Sequence, residues 1–250
     1  MSLLSAHGLV KRFAGFLATD HVSLDILPGE LHAVIGPNGA GKTTLINLLS
    51  GNLQPDSGSI VLEGQNITWL SADRRARLGI GRSYQITSTF TDLTVLENVM
   101  LAVQGTSERR LGFLRPVSGD PHLTEPACQA LEQVQLESRS HEQVRHLAHG
   151  ARRQLELAMT IAMQPKLLLL DEPMAGMSHH ESGTMSEMIS RLKGRYSILL
   201  IEHDMDVVFS LADRISVLVY GKTLMSGTAK EVRNHPEVKL AYLGDEDVVL

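Results

Sequence analysis

The fold of this chain is decided by a glycine-rich stretch, Gly36-Pro37-Asn38-Gly39-Ala40-Gly41-Lys42-Thr43-Thr44. An apolar run at 31–35 precedes it, and apolar residues at helical spacing follow at 45–49. The order is therefore strand, loop and helix. Glycines let the backbone turn so that successive N–H groups converge on a polyphosphate at the positive end of the helix. Lys42 would reach the β- and γ-phosphates, and the hydroxyl of Thr43 would ligate Mg²⁺.

The composition is that of a soluble globular protein. Of 250 residues, 43% are hydrophobic and 20% are charged, and a chain of this length can bury a full core. The longest uninterrupted apolar runs, such as 167–170 and 198–201, are far shorter than the about 18 residues that indicate a membrane span. The N-terminus has no basic segment followed by a long apolar core, so we expect the chain in the cytosol or on the cytoplasmic face of the membrane.

The charge balance disfavours nucleic acid as a partner. The formal net charge is −5 and the isoelectric point is about 6.1, so the surface as a whole does not attract a phosphate backbone. Small basic clusters at 74–77 and 109–110 are typical of solvated faces. We therefore predict that this chain binds no nucleic acid.

The pattern along the chain predicts an α/β fold. Short β-like runs at 22–27, 31–35 and 59–62 form a sheet-rich first third. Apolar residues then recur at helical spacing over 92–163. Near-continuous apolar runs follow, separated by helical segments, at 167–170, 197–201 and 215–219. Such runs are typical of parallel strands buried on both faces, so we predict a parallel sheet with a helical insert.

Two carboxylates follow the apolar run at 167–170. Asp171 and Glu172 would lie at the carboxyl end of that strand, the edge at which parallel sheets bind ligands and which also carries the glycine loop. Asp171 would hold Mg²⁺ through water, and Glu172 would orient and polarise the water that attacks the γ-phosphate. The alternative is an acidic helix cap after a core strand.

Two further polar residues follow strands near this edge. His203 comes directly after the run at 197–201, where an imidazole could hydrogen-bond the γ-phosphate or the catalytic carboxylate. Gln85 follows a short strand and opens the helical insert. From there Gln85 could contact Mg²⁺ or the attacking water and transmit the state of the nucleotide to the insert.

A glycine lies at the start of a helix in the second half of the chain. Residues 147–156 read Leu-Ala-His-Gly-Ala-Arg-Arg-Gln-Leu-Glu, and Gly150 near the helix start would leave N–H donors free to bind an anion. An ordinary N-terminal cap is the alternative interpretation of the same residues.

This order of parts resembles that of the ATP-binding subunits of ABC transporters, over nearly the whole chain. The likeness is greatest to the ATPases of branched-chain amino-acid importers, at 171–177, 201–205 and 241–244. The resemblance implies a P-loop NTPase core of the ABC type with an antiparallel β subdomain and a helical subdomain, binding ATP and Mg²⁺. We expect four segments along the chain: 1–84 with the phosphate loop, 85–154 with the family's signature motif at 147–151, 155–235 with the rest of the core, and a tail at 236–250.

The same resemblance implies that two such domains pair head to tail. Each ATP would lie between the phosphate loop of one chain and Ala148, His149 and Gly150 of the other. The implied partners are integral membrane permease subunits, a second ATPase subunit that is identical or a non-identical sibling, and indirectly a solute-binding protein. Phe13 matches the aromatic residue that stacks on adenine, with Phe16 as the alternative, and either could instead be a core residue.

The signature departs from the usual pattern of the family. Importers of this subclass often have Leu-Ser-Tyr-Gly-Gln or a near variant, whereas residues 147–151 read Leu-Ala-His-Gly-Ala. Ala148 lacks the hydroxyl that would bind the partner's γ-phosphate, and a hydrogen bond to a charged group is worth about 1.5–3 kcal/mol. We expect an active ATPase that works best beside a sibling with a more usual signature.

The leading hypothesis is an ATP-hydrolysing subunit that powers an importer, for branched-chain or other amino acids. The alternatives are a motor for another importer or exporter, with urea, an amide or another small solute as cargo, and a soluble ABC ATPase acting on DNA or ribosomes. Proteins of the last class usually carry a coiled-coil insertion or two fused ATPase domains, and this chain has neither. A nucleotide sensor without turnover is disfavoured by Glu172.

Overall fold

The computed structural model describes residues 1–83, 89–106 and 120–242. The described residues divide into two compact units. The first unit comprises Met1–Arg75, Leu169–Glu172 and the chain from Lys193, and the second comprises Ala76–Leu168 and Pro173–Leu192. The functional segmentation expected from the sequence, with boundaries after residues 84, 154 and 235, stays a prediction.

The first unit contains the strands and helices that carry the phosphate loop. In chain order they are β1 (Leu4–Phe13), β2 (Phe16–Ile26), β3 (Leu31–Ile35), α1 (Lys42–Ser50), β4 (Ser57–Leu62), β5 (Gln65–Asn66), β8 (Ser197–Ile201), α7 (Met205–Leu211), β9 (Arg214–Val219), β10 (Lys222–Gly227), α8 (Ala229–Asn234) and α9 (Pro236–Tyr242). Two elements cross between the units, α2 (Ala72–Arg77) and β7 (Leu167–Asp171). The second unit contains β6 (Ile80–Arg82), α3 (Val95–Thr106), α4 (Pro121–Gln133), α5 (His149–Ala162) and α6 (His179–Leu192).

The strands form two sheets. The smaller sheet has the order β2-β1-β4-β5, and its pairs are antiparallel. The larger sheet has the order β10-β9-β3-β8-β7-β6, in which β3 runs parallel to both β8 and β9. Every residue of β3, β7 and β8 is buried, as the near-continuous apolar runs predict. The α/β class is confirmed.

In the first unit helices pack on the larger sheet, and in the second unit helices pack on one another. Residues of β3, α7, β9, α8 and α9 form one apolar cluster, namely Ala33, Ile35, Met205, Val208, Ile215, Val217, Val232 and Val238. In the second unit α3, α4 and α5 pack against one another, within the stretch whose apolar spacing is helical. Among the described residues, no helix is both long and apolar enough to cross a membrane.

A buried arginine holds the carboxyl end of α1. Arg75 is fully buried, and its guanidinium donates to the carbonyl oxygens of Leu48, Leu49, Thr68 and Leu70 at 2.6, 2.9, 2.7 and 3.0 Å. Burial lowers the pKa of Arg75 to about 10, so the side chain is charged at neutral pH. A cation at the last carbonyls of a helix is favourable because the helix dipole is negative there. Arg75 therefore anchors the helix whose other end carries the phosphate loop.

A buried histidine lies on β3, the strand that leads into the phosphate loop. His32 is 1% exposed, with Nε2 2.8 Å from the Ser216 hydroxyl and Nδ1 3.1 Å from the Asp25 carbonyl oxygen. Burial, and then the charge of Arg214, lower the pKa of His32 from 6.5 to about 4. The folded chain therefore holds this imidazole neutral at pH values where an unfolded chain would protonate it.

The buried imidazole makes stability depend on pH. Between pH 6.5 and 4 the unfolded chain binds a proton on His32 that the folded chain does not, so the free energy of unfolding falls as the pH falls through this range. We expect His32 to contribute about 2 kcal/mol to the loss of stability between pH 7 and 5. Denaturant titrations at pH 7 and 5 should give a smaller difference in the free energy of unfolding for His32→Gln than for the parent chain. His7→Gln, at an exposed site, is the control, and equal pH dependence in all three chains would contradict this assignment.

Candidate nucleotide-binding site

The phosphate loop sits so close to neighbouring strands that two of its positions accept only glycine. Gly41 caps α1 in the left-handed conformation with φ of 101°, which side chains other than glycine rarely adopt. A Cβ at Gly41 would overlap the carbonyl oxygen of Ala18, and one at Gly36 would overlap that of Leu218. The loop is therefore seated directly on β2 and β9, with the first N–H groups of α1 beside it.

The lysine of the loop folds back over the loop itself. Lys42 Nζ donates to the carbonyl oxygens of Gly36 at 2.6 Å and of Pro37 at 3.1 Å. These contacts hold the ammonium above the glycines, at the entrance to α1. An anion bound by the N–H groups of the loop would meet this positive charge.

One pocket brings most of the sequence-predicted site residues together. Its volume is about 300 Å³, and it is lined by Phe13, Phe16, Ala18, Asn38, Gly39, Ala40, Gly41, Lys42, Thr43, Thr44 and Glu172. All of these residues belong to the first unit. The glycine loop and the second carboxylate of the acidic pair, which are far apart in the sequence, thus face the same space.

Two phenylalanines end the β1-β2 hairpin at the pocket. Phe13 and Phe16 pair across the hairpin and are 44% and 62% exposed. The alternative that either is a core residue is therefore wrong. Exposed aromatic rings beside a phosphate site are suited to stack on a nucleotide base, and the choice of Phe13 over Phe16 stays a prediction.

The acidic pair ends β7 in two different environments. Asp171 is 2% exposed, whereas Glu172 is partly exposed and lines the pocket. Glu172 has a left-handed backbone with φ of 48°, and its N–H donates to the Ile201 carbonyl oxygen at 2.9 Å. Such a conformation costs a residue with a side chain about 1–2 kcal/mol. Strained backbone of this kind is concentrated at functional sites.

The two remaining residues expected near the acidic pair have different outcomes. His203 follows β8, the neighbour of β7 in the sheet. Its side chain is 69% exposed, and Nδ1 lies 3.6 Å from the buried carboxylate of Glu202. His203 is not among the described residues that line the pocket, so its role stays a prediction. Gln85 lies outside the described residues.

Comparison with known proteins identifies the family. Residues 19–175 match the sequence profile of the ABC transporter family. The chain belongs to the ABC transporter family. Residues 222–248 also match the profile named branched-chain amino acid ATP-binding cassette transporter. The chain is thus an ATP-binding cassette, and the ATPase fold predicted from the sequence is confirmed.

Individual relatives of this cassette are similar over almost their whole length. The high-affinity branched-chain amino acid transport ATP-binding protein LivG of Escherichia coli K12 is 39% identical, over 97% of this chain and 98% of the relative. The lipopolysaccharide export system ATP-binding protein LptB of Haemophilus influenzae is 32% identical, over 98% and 99%. A crystal structure of an ATP-binding cassette of an ABC transporter in its ADP conformation is 29% identical, with a TM-score of 0.88 over 98% of this chain and all of that chain.

The residues expected to form the signature, Ala148, His149 and Gly150, lie at the start of α5, in the second unit. Ala148 is the N-cap residue and makes no side-chain capping hydrogen bond. His149 Nε2 lies 3.3 Å from the carbonyl oxygen of Ala175. Gly150 is buried, and a Cβ there would lie 2.6 Å from Glu181 Oε1. The N-terminus of α5 is therefore in contact with a carboxylate of its own chain.

Two residues near these sites were not predicted from the sequence. Ala18 lines the pocket and supplies the carbonyl oxygen against which Gly41 packs, but a lone alanine in a strand carries no signal. Glu181 lies against Gly150 at the start of α5, and here a signal existed. Ser178 and Glu181 have the Ser-x-x-Glu spacing of a capping box.

Proposed function

We propose that this cassette is the ATP-hydrolysing subunit of an importer for branched-chain amino acids. The similarity to LivG along almost the whole of both chains carries this proposal. The C-terminal match to the branched-chain profile supports the same cargo class. The pocket supports ATP hydrolysis, because the phosphate loop and Glu172 line it together.

ATP and Mg²⁺ fit the residues of the pocket. Mg²⁺ prefers oxygen ligands and few protein donors, and the pocket offers the hydroxyl of Thr43, with the carboxylate of Asp171 at the end of the adjoining strand. When bound, Mg²⁺ would neutralise charge on the β- and γ-phosphates. Gln85 would be a further ligand. Lys42 and the N–H groups of Gly39 and Gly41 would bind the phosphates themselves.

Hydrolysis on this proposal depends on Glu172. Its carboxylate would accept a hydrogen bond from the attacking water, orient the water toward the γ-phosphorus and take up its proton as the new bond to phosphorus forms. The bond between the γ-phosphorus and the β–γ bridging oxygen would break in the same displacement, so that ADP leaves with that oxygen. His203, at the end of the neighbouring strand, would hold the γ-phosphate or Glu172 in place. Phe13 would stack on the adenine.

A transporter built on this cassette needs other subunits. We propose a second cassette, identical or a sibling, whose Ala148, His149 and Gly150 would complete the ATP site. Integral membrane permease subunits would hold the pair on the cytoplasmic face of the membrane, and a solute-binding protein would deliver the cargo. No role for nucleic acid is proposed.

The cargo is tested by isolating the assembly and measuring uptake. We expect the tagged chain, purified from detergent-solubilised membranes, to bring permease subunits with it. Deleting its gene should lower uptake of radiolabelled leucine, isoleucine and valine, and a Glu172→Gln copy should fail to restore it. Recovery of only ribosomal or DNA-repair proteins would contradict the transport function.

Export is the second candidate, favoured by the 32% identity to LptB over 98% of this chain. The same strains distinguish the two directions of transport. Unchanged amino-acid uptake together with loss of a component from the outer surface of the cell would establish an exporter motor instead.

The alanine at the signature leads to a further prediction. We expect Ala148→Ser to raise the turnover of the homodimer about tenfold or more, because a hydroxyl would gain a hydrogen bond worth about 1.5–3 kcal/mol to the partner's γ-phosphate. Phosphate release at saturating ATP measures this. Serine also caps a helix better than alanine does. Ala148→Gly is therefore the control, since glycine improves the cap without a hydroxyl, and equal rates for both variants would contradict a hydroxyl–phosphate bond.

A further inference from the structure

Glu181 joins the first turns of two helices. Its Oε2 accepts hydrogen bonds from the backbone N–H of Ser178 at 2.9 Å and from the Ser178 hydroxyl at 2.7 Å, and these contacts cap α6. Its Oε1 faces α5, where a Cβ on Gly150 would be 2.6 Å away. Hydrogen bonds from the backbone and then the side chain of Ser178, and from the backbone of Gly150, hold the pKa of Glu181 below its ordinary value. The side chain is therefore an anion shared by two helix starts.

We propose that Glu181 is a positioning residue for the signature, fixing the start of α5 in the arrangement that receives the partner's nucleotide. This inference rests on the proposed function, because the signature acts there on the ATP of a second chain. Glu181 itself does not touch that ATP. It acts through Gly150, and through the charge that it places at the first turn of α5.

The physical reason lies in the open ends of helices. The first N–H groups of a helix have no partner within the helix, and the helix dipole favours negative charge beside them. Ala148 makes no side-chain cap at α5, so the start of this helix receives its carboxylate from α6 instead. Glycine at 150 leaves the space that this carboxylate occupies. Ala148, which stands where the family usually has serine, and Glu181 thus belong to one local arrangement at the start of α5.

A second capping box in the same chain provides the matched control. Glu231 Oε2 accepts from the Thr228 backbone N–H at 2.7 Å and from the Thr228 hydroxyl at 2.9 Å, so it caps α8 as Glu181 caps α6. Glu231 lies in the first unit, away from the signature residues in the sequence. Removing either carboxylate takes away one helix cap, but only Glu181 reaches a signature glycine.

The first experiment compares nucleotide binding with turnover in the full-length chain. We expect Glu181→Ala to bind a fluorescent ATP analogue with a Kd within about twofold of the parent, because its phosphate loop is intact. Turnover should fall about fivefold or more, the size of a lost helix cap. Glu181→Gln keeps an acceptor oxygen but loses the charge, so its turnover should lie between that of Glu181→Ala and that of the parent, and Glu231→Ala should match the parent. Equal turnover in Glu181→Ala and Glu231→Ala would overturn the proposal.

The second experiment tests whether Glu181 acts on the other chain's ATP. Glu172→Gln has an intact signature and almost no turnover of its own, so mixed dimers should pair its signature with the working phosphate loop of Glu181→Ala. We expect the mixture to exceed the summed turnover of its two components. The double variant Glu172→Gln/Glu181→Ala, mixed in the same way, should give no gain. A gain in turnover with both Glu172→Gln and the double variant, or with neither of them, would show that Glu181 does not position the signature.

The dependence of turnover on protein concentration separates the two proposals. Size-exclusion chromatography identifies the concentrations at which the parent chain is a monomer and at which it is a dimer. Equal turnover per chain in these two states would overturn the paired cassette, and Glu181's role with it. Turnover that rises with concentration, together with an unaffected Glu181→Ala, would overturn only the role of Glu181.

Discussion

Glu172→Gln lowers ATP hydrolysis by a factor of about 10²–10⁴, the range that a positioned general base contributes, and leaves nucleotide affinity within about twofold. Glutamine has nearly the shape of glutamate but cannot take a proton from water at neutral pH. The substitution keeps the Cβ, so the left-handed backbone at this position, with φ of 48°, is strained to the same degree. The comparison therefore isolates the carboxylate.

Two measurements check this result. Single-turnover phosphate release reports the chemical step, and calorimetric titration with ATP reports binding. We expect the variant to accumulate as an ATP-bound dimer in size-exclusion chromatography, since binding occurs without hydrolysis. Glu187→Gln is the control, because Glu187 is exposed on α6 and its carboxylate makes a long, exposed ion pair of 3.7 Å with Arg191. Unchanged phosphate release in Glu172→Gln would remove Glu172 from its catalytic role.

Lys42→Ala is expected to weaken ATP binding about 10- to 100-fold. The ammonium lies over the loop, 2.6 Å from the Gly36 carbonyl oxygen, and hydrogen bonds to a charged group contribute about 1.5–3 kcal/mol. The loss should be much smaller for AMP, which lacks both phosphates that Lys42 would reach. Calorimetry with the two nucleotides measures the difference.

The control for Lys42→Ala removes the same charge elsewhere. Lys230 is exposed on α8, and Lys230→Ala should leave both affinities unchanged. Far-ultraviolet circular dichroism of Lys42→Ala checks that the loop change has not unfolded the chain. A near-normal Kd for ATP in a folded Lys42→Ala chain would contradict the phosphate-loop assignment.

The buried strands were predictable because their signal is local. Residues 31–35, 167–170 and 197–201 are near-continuous apolar runs, and β3, β7 and β8 occupy these positions. Since carboxyl ends of parallel strands share one edge, the convergence of the glycine loop with Glu172 could be inferred from chain order alone. The pocket that contains both confirms that inference about placement.

The antiparallel sheet was harder to predict for a physical reason. β1 has register shifts between Ala6 and Leu9, between Leu9 and Lys11, and between Lys11 and Arg12. Each shift breaks the period-two alternation by which a half-buried strand is recognised, so this strand was not predicted. The same limit applies to Phe13, because alternation and composition cannot distinguish a ring facing solvent at a hairpin end from one in the core.

Contacts between distant segments were also beyond sequence reasoning. The segment from 236, treated as a tail, begins with α9, and its Val238 is fully buried in the cluster with β3 and α7. Arg75 was grouped with a basic surface cluster, yet it is fully buried against α1. The surface interpretation is therefore wrong for Arg75. The sequence could not show this, because only the fold brings the surrounding carbonyl oxygens to it.

A structure of Glu172→Gln crystallised with ATP and Mg²⁺ tests the central claim most directly. We expect a triphosphate wrapped by the N–H groups of residues 38–44, with Mg²⁺ about 2.0–2.1 Å from the Thr43 hydroxyl oxygen and the Asp171 carboxylate one water molecule away. A nucleotide bound outside the pocket at the phosphate loop, or a metal ion held by neither Thr43 nor Asp171, would contradict it.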